Sequence, residues 1–122
     1  MVSKKENRYE TDEVDFTLFV DTCKLWVARF GLIDWAISYT HLEDVKSRNQ
    51  AWVNRAYPAR SAAVVLNKDW GETEPTAEEI KNVACEEILH ILLYPLVNHE
   101  TTEEEIFQEH GIIYRLINYF NT

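Results

Sequence analysis

The sequence predicts an α+β domain, with an N-terminal helix, a small, mostly antiparallel three-stranded sheet, then two further helices. Three observations lead there. Apolar residues recur at helical spacing over about Asp12–Phe30, the period drops to two near Trp35, and helical spacing returns behind a capping signal at Thr76. With 122 residues, 46% of them apolar, the chain is long enough to bury one core without disulfides.

Residues 1–10 are polar and read as a flexible N-terminal arm, leaving 11–122 as a single domain. Thr11-Asp12-Glu13 offers an N-cap and the negative charge that suits a first turn. Behind it, Val14, Leu18, Cys23, Val27 and Phe30 fit one helix, which Gly31 should stop. Trp35, Ile37 and Tyr39 alternate with smaller or polar residues, so Leu32–Thr40 reads as a half-buried strand. Ala51–Tyr57 and Ser61–Asn67 follow as strands, the first ending at Pro58 and the second in a turn at Asp69-Trp70-Gly71. Thr76 with Glu79 forms a capping box for a helix from Ala77 to about Tyr94, where Pro95 ends or kinks it. Thr101-Thr102 with Glu104-Glu105 is a second capping signal, and Ile106–Phe120 completes the last helix.

Composition excludes several functions. A net charge of −9 with no basic stripe argues against a nucleic-acid groove or an anionic membrane surface. No apolar run is long enough to span a bilayer and Met1–Arg8 lacks a secretion signal, so a cytoplasmic protein is expected. Cys23 and Cys85 have no CxxC spacing and read as buried free thiols. Gly-rich phosphate loops, serine nucleophile elbows and zinc-ribbon spacings are missing from the sequence.

What remains is the helix around Ala84-Cys85-Glu86-Glu87-Ile88-Leu89-His90. Glu86 and His90 lie one turn apart on a stripe shared with Val83, Leu93 and Val97, and Glu87 sits toward the stripe's edge. On the last helix Glu109 falls in the middle of the face drawn by Ile106, Ile112, Ile113, Leu116, Ile117 and Phe120, with Glu105 inside it and His110 nearer an edge. A buried carboxylate needs a partner. Glu109 therefore either caps His90 or Arg29 in the core, or reaches the point in space that Glu86 and His90 share. His99 and Glu100 are secondary candidate ligands, His41 reads as a surface residue, and Cys85 as a packed thiol.

Glu86-Glu87-x-x-His90 with its tail Ile91-Leu92-Leu93-Tyr94-Pro95-Leu96 resembles the motif helix of zincin metallopeptidases. The likeness is to minimal gluzincin, SprT-like and ImmA/IrrE-like cores, and to small phage-encoded metallopeptidase-like proteins. It covers the chain from about Asp15, with helix, sheet and motif helix in the family's order. The resemblance implies peptide-bond hydrolysis with Glu87 as general base. It also implies His90 as second metal ligand, Glu109 as the glutamate ligand from the next helix, and Ser61–Asn67 as the strand that pairs with a peptide substrate. Glu86 stands where the family has its first histidine. A Glu86/His90/Glu109 set can hold zinc, can favour harder ions such as manganese, or can form a metal-free hydrogen-bonded cluster. The alternative function is an inactive zincin-fold module that binds a protein partner, as in phage–host interaction within a bacterial cell.

Overall fold

The computed structural model describes the backbone of residues 3–5, 8–56, 59–94 and 103–120, and their side chains except for 3–5 and 103–108. The described elements are β1 (Ser3–Lys5), β2 (Arg8–Glu10), α1 (Glu13–Arg29), β3 (Ala36–Leu42), β4 (Ala51–Ala56), β5 (Ser61–Asn67), β6 (Asp69–Gly71), α2 (Ala77–Leu93) and α3 (Glu103–Phe120). The α+β class and the order of helix, sheet, helix, helix agree with the sequence.

Helix α1 begins where its cap chemistry directs. The Asp12 carboxylate accepts the Asp15 N–H while the Asp15 carboxylate accepts the Asp12 N–H, so two otherwise orphaned donors are satisfied. It ends at Gly31, whose φ of +70° suits a residue without a Cβ. There Gly31 N–H bonds the Ala28 carbonyl and Leu32 N–H the Val27 carbonyl, which closes the last turn. At the start of α2 the Thr76 hydroxyl accepts the Glu79 N–H, while the Thr76 N–H goes to the Glu74 carbonyl. Pro95, Thr101 and Thr102 lie outside the described residues, as do Tyr57 and Pro58.

The main sheet has the order β3-β5-β4, with β3 parallel and β4 antiparallel to β5. It is therefore mixed, where the sequence suggested mostly antiparallel pairing. The first strand starts at Ala36 rather than Leu32, because Leu32 closes the helix turn and its carbonyl takes the Trp35 N–H. Register sets the faces. Ala51, Val53 and Arg55 on β4 oppose Leu66, Val64 and Ala62 on β5, so all six share the side covered by helices. Phe19 and Cys23 of α1 and Ile80, Val83, Ala84, Ile88 and Ile91 of α2 pack onto that face. Burying a side chain the size of Phe19 is worth about 1.5–3 kcal/mol, so this layer carries the fold. Cys85 and Leu89 turn the other way, to Ile113 and Ile117 of α3.

A second small sheet, β1-β2-β6, corrects the flexible-arm reading. Tyr9 and Glu10 pair with Gly71 and Asp69, and the Arg8 guanidinium grips the buried Asp69 carboxylate through two bonds of 2.9 and 2.6 Å. Asp69-Trp70-Gly71 is accordingly a strand and not only a turn. These strands are three residues each, too short to show a period, and an ion pair distant in sequence fixes them. No described helix is long and apolar enough to cross a membrane.

Candidate functional site

The C-terminal half of α2, the middle of α3 and the edge strand β4 enclose a pocket of about 270 Å³. Glu86, Glu87, His90, Glu109, His110 and Arg55 all line it. Helical spacing explains the α2 contribution, since Glu86 and His90 are one turn apart, with Glu87 between them and turned inward. On α3, Glu109 precedes the buried Ile113 and Ile117 by one and two turns, so the helix's apolar packing carries its carboxylate into the core.

Glu109 is 5% exposed and its Oε1 is held from two sides. His90 Nδ1 lies at 2.7 Å and Arg55 Nη1 at 2.8 Å. Burial alone would raise its pKa, but the bonds from His90 and Arg55 outweigh that and keep it below the usual carboxylate value. An ionised carboxylate only accepts, so the His90 Nδ1–H donates, and a neutral His90 carries its free lone pair on Nε2.

Glu86, His90 and His110 each offer one ligand atom within 4.8 Å of the others. His110 Nδ1 stands 3.9 Å from Glu86 Oε1, and the two imidazole rings meet edge-on at 4.7 Å between centroids. Donors on a tetrahedral zinc with bonds of about 2.0–2.2 Å stand roughly 3.3–3.6 Å apart. The triad is wider than that, so its side chains would have to rotate inward to hold an ion. Two imidazoles and one carboxylate is also a composition that catalytic zinc sites use, and three protein ligands leave a fourth position open.

Glu87 is the most buried carboxyl of α2, at 6% exposure, which corrects its placement at the stripe's edge. Burial, and then the neighbouring Glu86 charge, push its pKa up to about 8. The Glu86 carboxyl is raised as well, by burial that His90 and His110 partly offset. Among the described residues no hydrogen bond reaches the Glu87 carboxyl, which lines the pocket.

Of the candidate ligands, Glu86 and His90 lie together with His110, while Glu109 bonds His90 itself, the capping alternative, and lies outside that group of three. Arg29 does not pair with Glu109; its guanidinium lies over the Trp26 ring. Arg55 was missed, although its alternation with Ala51 and Val53 places a cation on an apolar strand face. The peptide-pairing strand is corrected too. β5 is central, with both edges occupied by β3 and β4, so among the described residues the unpaired edge beside the pocket belongs to β4. Cys85 is a packed thiol, its pKa pushed to about 12 by burial. His41 is half-buried, within 2.7 Å of Thr11 Oγ1, and does not line the pocket. His99 and Glu100 lie outside the described residues, and so does the Glu105 side chain.

Comparisons with protein-family models, curated proteins and solved structures give no match for this chain.

Proposed function

We propose that the protein is a metal-dependent hydrolase of zincin-like design that cleaves peptide bonds, holding a divalent ion, zinc before manganese, on Glu86, His90 and His110. The observation that carries this reading is the convergence of those three side chains with the buried Glu87 in one pocket. A cation held there supplies positive charge that acidifies a water and polarises a carbonyl oxygen.

The protein's own groups do the rest. Glu109 holds the His90 ring so that Nε2 is the nitrogen left for ligation. Glu87 is the proton carrier: a nearby cation favours its ionised form, and its carboxyl then accepts a proton and returns it to the leaving amine. An extended peptide adds to the open edge of β4, whose Ala51, Trp52 and Val53 line the same pocket. Two buried free thiols suit a reducing compartment, so the bacterial cytoplasm is the proposed location.

A second reading, a non-catalytic module that binds a protein segment along β4, is favoured by one observation. Glu109, His90 and Arg55 already satisfy one another without a cation. One experiment separates the two. The metal content of the purified protein is measured by plasma mass spectrometry, alongside thermal midpoints with zinc and with chelator. The hydrolase reading expects near-stoichiometric metal, lost in both His90→Ala and His110→Ala, and a lower midpoint in chelator. Absence of metal after incubation with zinc and with manganese overturns it and leaves the binding module.

A further inference from the structure

We infer that Arg55 is a positioning residue for the metal site, fixing both ends of His90 from the facing strand; the inference rests on the metal-binding reading above. Arg55 belongs to β4, and its place opposite Ala62 sends the side chain under α2. Its Nη1 donates to two acceptors, the His90 carbonyl at 2.6 Å and Glu109 Oε1 at 2.8 Å. Its guanidinium carbon lies 4.3 Å from the centroid of the Tyr94 ring. One side chain therefore ties the strand, the last turn of α2 and the middle of α3 together.

The His90 carbonyl is available for a physical reason. At the end of α2 the Tyr94 N–H bonds the Ile91 carbonyl, one residue short of the α-helical partner, so it does not take His90 O. A guanidinium satisfies that carbonyl and places positive charge at the helix C-terminus, where the helix dipole favours it. The same nitrogen fixes Glu109, and Glu109 fixes the His90 imidazole. The backbone of His90 is thus held directly and its ring through one intermediary. Loss of Arg55 frees the ring to rotate and frees α3, which also carries His110, to shift against α2.

A lysine at this position replaces the guanidinium only in part. Its ammonium keeps the charge but ends one bond nearer the backbone than Nη1, and it cannot stack flat on Tyr94. Partial recovery by lysine is the signature of positioning, whereas a simple brace between elements registers in stability alone.

The test uses the full chain with zinc as the probe. Zinc affinity is measured by competition with a chromophoric chelator for wild type, Arg55→Met and Arg55→Lys. The thermal midpoint of each metal-free protein is recorded beside it, with the imidazole nitrogen NMR spectrum of His90. Support is a 10–100-fold weaker affinity in Arg55→Met, as expected when a ligand's supporting partner is removed. The lysine variant should fall between, and the His90 spectrum should change from one tautomer to a mixture in the methionine variant. If Arg55→Met does not fold, the affinity and tautomer of Arg55→Lys decide. Zinc affinity within twofold of wild type in a folded variant, with an unchanged His90 spectrum, overturns the role of Arg55 and leaves the metal site standing. Wild-type protein that takes up neither zinc nor manganese overturns the metal reading and this inference with it.

Discussion

His90 on α2 and Glu109 on α3 are nineteen residues apart and meet at 2.7 Å between Nδ1 and Oε1. This contact makes Glu109 an orienting group, since its oxygen accepts from His90 and Arg55 instead of converging with Glu86 and His110. Metal-ligating imidazoles are commonly held in this way by a carboxylate on the other nitrogen.

The contact predicts the outcome of Glu109→Gln. An amide has nearly the same shape but lacks the charge that enforces one His90 tautomer. Zinc affinity should fall about 10–100-fold while the protein stays folded, read by chelator competition and circular dichroism. Unchanged affinity would remove Glu109 from the site.

Asn67 predicts a stability effect remote from the pocket. Its fully buried amide accepts from the Asp44 and Asp69 N–H groups and donates to the Asp44 and Asn49 carbonyls, all within 3.0 Å. Net values near 1 kcal/mol per bond give a cost of about 2–4 kcal/mol for Asn67→Ala. Urea denaturation measures it, and a cost below about 1 kcal/mol would contradict the network's role. Proteolysis within the connection that follows β3 should rise in the same variant.

His41 predicts a pH dependence. The Thr11 hydroxyl donates to the Asn67 carbonyl, so the neutral His41 ring donates its Nε2–H to Thr11 Oγ1 while stacking flat on Phe16 at 4.9 Å. Burial, and then the Lys68 charge, lower its pKa from 6.5. The unfolded chain therefore binds the proton more readily. The stability His41 contributes is present in full above about the unfolded value and is lost as pH falls through the lower folded one. Between pH 7 and pH 5 wild type should lose more stability than His41→Gln, and comparing the two cancels the carboxyls common to both. Parallel profiles would sink the assignment.

The parts of the fold legible in the sequence are those written in local chemistry. Asp12, Gly31 and Thr76 mark helix ends, and Glu109 is legible because a carboxylate interrupts an apolar stripe. The rest depends on partners far along the chain. Arg8–Glu10 gives no sign by itself of pairing with Asp69–Gly71. Nor does the run of small and then β-branched residues in Ser61–Asn67 say whether that strand is central or at an edge, because parallel pairing with β3 is set by a crossover and not by the strand's own residues. His110 does sit at the edge of the α3 face, but a wheel gives only its angle on α3 and not the packing that brings it within 3.9 Å of Glu86. Arg55 was hidden because attention to acids and histidines passes over the cation that organises them.

Glu87 carries the prediction that separates catalysis from binding. Its carboxyl lies beside the triad without belonging to it, buried to 6% exposure and facing the pocket. Replacement by glutamine keeps the volume and removes the ability to accept a proton. Metal content and zinc affinity should therefore stay near wild type in Glu87→Gln, because no ligand is lost. Hydrolysis of an unstructured peptide substrate should fall by about 10²–10⁴, the usual contribution of a positioned acid–base group. Equal hydrolysis by the two proteins, measured at equal metal loading, would show that the proton moves elsewhere and that the buried carboxyl only fills the pocket wall.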